Sequence, residues 1–218
     1  MWYPTAMSQD LELGCCCGQI HGQVRGVSAQ TVNRAICYCD DCQAFAHYLG
    51  RTDLLDEHGG SDLVQVAPAS VSYDRGVELI AGVRLGPKGM CRWYASCCKA
   101  PLGNTMATPG VPFIGISIEV FLGLDPRRRD EVFGAPRGKV FGQFATNGTP
   151  EGSTKLPPKM ILHTVRLLLG WKLGGKTWPH PFFERGAAAP KPPVSILSRE
   201  ERQVLRARCG PTPSAPAS

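Results

Sequence analysis

With 218 residues the chain is long enough to close one complete hydrophobic core, and 43% apolar against 19% charged residues excludes wholesale disorder. Its 24 basic and 18 acidic residues leave a formal charge of +6, compatible with anionic ligands but too diffuse to choose among glutathione, a nucleic acid and a membrane surface. Gly at 25 and Pro at 19 favour short strands joined by turns and argue against a helical bundle.

In chain order, residues 1–10 read as an N-terminal arm with no basic leader before an apolar stretch, so no secretory signal is expected. Residues 11–24 predict two short strands around the Cys15-Cys16-Cys17-Gly18 turn, and 31–36 a β-prone run that delivers the chain into Cys37. A short helix over 40–48 ends at Gly50. Further β-prone runs follow at 63–67, 71–73, 77–85, 92–94, 111–122 and 139–144, separated by Pro68, Gly76, Gly82 and Gly86-Pro87. The run Arg127-Arg128-Arg129 meets Asp130 and Glu131 at once and reads as a solvated loop. Together, residues 11–148 predict a mainly β domain of antiparallel sheets built from short strands around cysteine loops.

The character changes near Thr149. Residues 149–158 are turn-rich, and 159–173 have helical spacing with Ile161, Val165, Leu168 and Leu169 on one side. Such a stripe packs against its own domain or, with Trp171, Trp178 and several lysines nearby, lies on a membrane or a partner. A Pro-rich linker at 190–193 precedes a second helix, signalled by the Ser198/Glu201 capping box and closed by Cys209-Gly210. Residues 149–210 are thus expected to be a helical extension and 211–218 a disordered tail. The most apolar segment, 160–173, is interrupted by His163, Arg166 and Lys172 and is too short to span a bilayer; a soluble, cytoplasmic protein is expected.

In a reducing compartment, ten cysteines at short spacings point to metal or redox chemistry, not to disulfides. Cys37, Cys39 and Cys42 form C-x-C-x-x-C, and three thiolates so close can wrap one face of a zinc ion at about 2.3 Å each. Zinc prefers four ligands, so a corner is left for water or a substrate thiol, which separates a catalytic site from a closed structural one. The plainer readings are buried thiols near a turn, or three of four ligands to a structural ion. An iron–sulfur cluster normally wants a fourth thiolate. Cys15 and Cys17 share one side of an extended strand. They can share a second ion with Cys97 and Cys98, or all four pack as small hydrophobes; spacing alone does not separate these. Cys91 and Cys209 read as unligated.

Cys15-x-Cys17-Gly18, then Cys37-x-Cys39-x-x-Cys42, then Arg92-Trp93-Tyr94 leading into Cys98 and Pro101-Leu102, resembles the glutathione-dependent formaldehyde-activating enzyme family, also called centromere-protein-V-like. The resemblance spans residues 11–123. It implies a mainly β fold similar to that of methionine-R-sulfoxide reductase, and two zinc ions. Cys37, Cys39 and Cys42 match the catalytic zinc ligands, and Cys15, Cys17 and Cys98 match three structural ones. Ala95 stands where the family places its fourth structural cysteine, with Cys97 as the substitute, and Lys99 replaces the usual glycine. One zinc is therefore expected at the first trio, and a second where Cys97 completes the other set.

The resemblance further implies a zinc-dependent carbon–sulfur lyase acting on a glutathione or other thiol adduct. Arg34, Arg51 and Arg92 are the candidate cations for glutathione carboxylates, each otherwise an ordinary sheet or surface arginine. His47 is a candidate base or a hydrogen-bond partner behind the metal ligands, or simply a partly buried histidine; Asp40 and Asp41 can orient hydrogen bonds between the ligands. The competing reading is a noncatalytic zinc-binding module for protein or nucleic acid. No basic run interleaved with aromatics supports nucleic-acid recognition.

Overall fold

The computed structural model describes residues 8–187 and 189–211. In chain order these form β1 (Gln9–Gly14), β2 (His21–Val27), β3 (Asn33–Cys37), α1 (Asp40–Leu49), β4 (Ser61–Val66), β5 (Val71–Arg75), β6 (Ile80–Arg84), β7 (Cys91–Ala95), β8 (Pro101–Thr105) and β9 (Ile114–Ser117). Then come α2 (Pro126–Phe133), β10 (Lys139–Val140), α3 (Pro158–Leu173), β11 (Val194–Ile196) and α4 (Arg199–Arg206). The chain is mainly β. Of the expected arm, Gln9 and Asp10 belong to β1, and residues 1–7 lie outside the described residues, as do 212–218 of the expected tail.

Two sheets share the core. β1, β2 and β5 form an antiparallel three-stranded sheet; the other eight strands follow the order β10-β3-β4-β9-β8-β7-β6-β11. Six of these strands, β3 to β6 in that order, pair antiparallel as expected, but both outer pairs, β10 on β3 and β11 on β6, run parallel. The sheet is therefore mixed. The outermost strands return from distant parts of the chain, and nothing local in two or three residues sets their direction.

Where both faces are covered, the strand reads as continuously buried. All five residues of β7 are buried, whereas β4 alternates in its second half, with Val64 and Val66 inside. Trp93, fully buried in β7, donates its indole N–H to the Thr105 hydroxyl at 3.0 Å and stacks on Phe182 with ring centroids 4.5 Å apart. Opposite it, Gly82 is required: a Cβ there would meet the Trp93 ring at 2.7 Å. Residues beyond Thr149 thus enter the same core through Phe182 and Phe183, and the same sheet through β11.

Three elements differ from expectation. The Arg127-Arg128-Arg129 run is not a solvated loop but part of α2, begun by Pro126 and capped by the Asp125 side chain accepting from the Arg128 N–H at 2.9 Å. Arg129 leaves that helix to meet Glu119 at 2.8 Å. On α3, the stripe does not pack on its own domain, one of the readings open to it: Ile161, Val165 and Leu169 are exposed, Leu168 is half-buried and only Trp171 of the helix is buried. The helix is held instead by polar contacts to β3 and its approach, Thr164 to Asn33 at 3.0 Å and His163 to the Val32 carbonyl at 2.9 Å. β8 was not expected at all, because Pro-Leu-Gly-Asn-Thr lacks β-branched residues until its end.

Candidate metal centres

The chain leaves β3 at Cys37 and turns into α1 with Cys39 as the helix cap. The Cys39 thiol accepts from the Cys42 backbone N–H at 3.4 Å, and Gly50 closes the helix in a left-handed conformation at φ 68°. This places Cys37 at a strand end and Cys39 and Cys42 on the first helical turn, where the helix dipole favours thiolate. The three sulfurs lie within 4.8 Å of one another, and among the described residues no histidine, cysteine or carboxylate joins them at that distance.

Charge within the trio is unequal. Hydrogen bonds from the Cys37 and Cys39 thiols, followed by the Arg92 guanidinium, hold Cys42 well below the ordinary thiol value. Cys37 is driven up by donating to Cys39 and Cys42 and by burial. Arg92 is itself buried on β7, 3.8 Å from the Cys42 sulfur, 3.2 Å from the Asn104 side-chain oxygen and 3.9 Å from Asp41. Its guanidinium also stands over the Phe45 ring at 5.5 Å. A buried cation fixed by a carboxylate, an amide and an aromatic face on one side leaves its remaining field for the thiolates.

A second cluster gathers at the turns that follow β1 and β7. Cys15 to Cys17 is 3.5 Å, Cys15 to Cys97 3.9 Å, Cys17 to Cys97 3.4 Å and Cys97 to Cys98 3.9 Å between sulfurs. A zinc ion about 2.3 Å from each of four sulfurs spaces them roughly 3.8 Å apart, so this donor set fits a tetrahedral soft ion. The Ile20 N–H donates to the Cys15 sulfur at 3.2 Å, steadying one donor. For Cys98, burial opposes ionisation, yet backbone N–H groups of Cys17 and Ala100 outweigh it and bring the thiol down to about 6.

Adjacent cysteines serve one site because residues 96–98 are a turn, not a strand. Lys99 then takes φ 62°, the left-handed conformation a glycine would enter freely, and its N–H returns to the Ala95 carbonyl at 2.8 Å. Ala95 is the last residue of β7 and is fully buried in the core, so a cysteine there would pack among apolar side chains. Cys97 completes the cluster of four sulfurs. Cys16 stays outside the quartet, exposed near Arg51 at 3.7 Å.

Other candidates are placed elsewhere. Arg34 is buried against Asp62 at 2.7 Å and also pairs with Asp130; Arg51 pairs with Asp53 at 2.9 Å. Of the three arginines, Arg92 alone reaches the trio. The His47 ring nitrogen meets the Arg208 carbonyl at 3.0 Å, so this side chain joins α1 to the end of α4. Asp40 and Asp41 are both gripped by Arg206 of α4.

The trio opens onto a cavity of about 420 Å³. Asp40, Asp41, Arg92, Gln65 and Asn104 contribute its polar lining, and Met160 packs directly against the thiols. Gln65, Asn104 and Met160 have no sequence signal, being single residues on three elements that meet only after folding. Gln43 is likewise silent in sequence. Fully buried, it donates at 2.8 Å to the carbonyls of Tyr38 and Phe144 and accepts from the Gly210 N–H at 2.8 Å, bracing the cysteine helix from behind.

The fold and its thiols define a mainly β chain with two cysteine clusters spaced to hold metal ions. It belongs to a family of unknown function, DUF6151, whose pattern matches residues 7–193 and so includes both clusters and the segment through β6's neighbour at Pro193. No curated protein matches the chain. A crystal structure of a Rhodobacter sphaeroides protein is similar at 18% identity, covering 56% of this chain and 97% of that one with a TM-score of 0.39. Among the described residues, no helix is long and apolar enough to cross a membrane.

Proposed function

We propose that the protein is a zinc-dependent enzyme of carbon–sulfur lyase type, acting on a thiol adduct at Cys37, Cys39 and Cys42. The observation that carries this reading is the contrast between its two thiol sets. Four sulfurs at tetrahedral spacing make a closed set, whereas three sulfurs beside a cavity of about 420 Å³ leave a corner open to a ligand. The resemblance of the cysteine pattern to the glutathione-dependent formaldehyde-activating family, with its methionine-R-sulfoxide-reductase-like fold, points the same way.

When bound, zinc supplies a cationic corner at which a thiol is held as thiolate. The chain's residues do the remainder. Arg92, fixed by Asn104 and Asp41, balances the negative charge gathered on Cys42. Phe113 and Leu63 line the cavity and limit water. In cleavage of a sulfur–hydroxyalkyl adduct, the C–S bond breaks and its electron pair goes to sulfur. The hydroxyl proton passes to Asp40, a carboxylate lining the cavity that meets Arg206 through one oxygen, and a carbonyl compound leaves.

Cobalt substitution tests the reading. Added thiol should change the visible spectrum of the open site while leaving the Cys15/Cys17/Cys97/Cys98 site unaffected. Two spectra that both ignore thiols would favour the noncatalytic module instead.

A further inference from the structure

The walls of the cavity above Cys37, Cys39 and Cys42 carry information about the ligand beyond its sulfur. Met90, Phe113, Val140, Phe141, Leu156 and Met160 converge there from four separate segments of the chain. Two of them, Leu156 and Phe141, remain 47% and 41% exposed, so apolar surface at the cavity is left in contact with water. Phe141 also has φ 61°, a left-handed conformation that an aromatic residue adopts at a cost in strain. That cost is met where the ring lines the cavity.

Charge in the same space is unfavourable to a polyanion. Among the described residues lining the cavity, Arg92 is the one cation and Asp40 and Asp41 are the anions. Arg92 already faces Cys42 and Asp41, and Arg206 engages both aspartates. Gln65 and Asn104 are neutral, and their side-chain oxygens already accept from Asn33 at 2.9 Å and Arg92 at 3.2 Å. The two carboxylates of glutathione therefore find no free cation among these residues. An apolar body finds eight apolar side chains, those named above with Ala35 and Leu63.

We infer that the site takes a thiol, or the adduct of a thiol, whose substituent is apolar, with its sulfur at the cysteine trio and its hydrocarbon body against Met160, Phe113, Leu156 and Phe141. This rests on the function proposed above. The site selects against glutathione by charge and for an aryl or alkyl thiol by removal of apolar surface from water.

The test titrates the cobalt-substituted full-length protein with benzyl mercaptan, 2-mercaptoethanol and glutathione, read by the visible spectrum and by calorimetry at several temperatures. Benzyl mercaptan is expected to saturate the spectral change at a concentration at least about tenfold below either other thiol, with a negative heat-capacity change from apolar burial. Leu156→Glu, at an exposed position, and Met160→Glu should each erase that preference. Glutathione binding as tightly as benzyl mercaptan, or a preference untouched by both variants, overturns the apolar assignment and leaves the open thiol site standing. A spectrum that none of the three thiols alters overturns the proposed function, and this inference with it.

Discussion

The sulfurs of Cys17 and Cys97, 80 residues apart in sequence, stand 3.4 Å from each other. One belongs to the turn after β1 and the other to the turn after β7, so the contact ties the first strand of the small sheet to the interior of the large one. Two elements that share no backbone ladder are joined through side chains, and an ion held there would act on the fold as a long-range cross-link.

Metal content follows from this geometry. Purified protein is expected to contain two zinc ions per chain, and Cys97→Ala to contain one. The variant should also melt at lower temperature, because three thiols hold the ion less well than four. Cys16→Ala should change neither quantity. Elemental analysis alongside thermal denaturation distinguishes these outcomes.

Arg92 is the buried cation of the trio. Replacing it with methionine keeps its apolar stem but leaves the negative charge around Cys42 and Asp41 without its partner; a loss on the order of 3–5 kcal/mol is expected. Activity on a thiol adduct should fall in Arg92→Met even where the protein remains folded. Denaturant unfolding and turnover measured on the same preparation check both.

The end of the described chain braces the cysteine helix. Arg206 grips Asp40 and Asp41, the Gly210 N–H donates to Gln43 at 2.8 Å, and the Ser198/Glu201 capping box starts α4. Ser198→Ala should cost about 1 kcal/mol of stability. Arg206→Ala should raise amide exchange across residues 40–43 relative to β7, a local loosening that mass-resolved hydrogen exchange would detect.

His180 supplies a pH dependence independent of the thiols. Burial, followed by the Lys191 charge, brings it down from 6.5 to about 4, and its ring nitrogen accepts from the Phe182 N–H at 3.1 Å. The unfolded chain binds a proton near pH 6.5 that the folded chain refuses until about pH 4. Its contribution is therefore complete above pH 6.5 and is lost as pH falls through that window, by up to roughly 3 kcal/mol. His180→Asn should flatten the acid limb of the stability profile.

Packing of Phe182 on Trp93 gives a fifth check. Phe182→Ala removes a fully buried ring stacked at 4.5 Å and should cost about 3–5 kcal/mol, with altered Trp fluorescence in the surviving folded fraction.

Local chemistry made much of this protein legible in its residues. The stop at Gly50 announced the end of α1, the alternation around Cys15 and Cys17 put two thiols together, and C-x-C-x-x-C brought three donors within reach because so few bonds separate them. The Ser198/Glu201 box marked α4 for the same reason: both partners lie within one turn. Such features depend on backbone geometry over a handful of residues, which sequence specifies directly.

Folding decided what distance in sequence conceals. Spacing could not say whether Cys97 joins Cys15 and Cys17, because that depends on a turn at 96–98 and on Lys99 entering a conformation its side chain disfavours. It could not give the parallel direction of β10 and β11, nor the exposure of the α3 stripe, since these depend on which surface each short element meets. Nor could it single out Arg92 from Arg34 and Arg51. All three have the same charge, and only the neighbours assembled around each one determine whether its field falls on a carboxylate or on a thiolate.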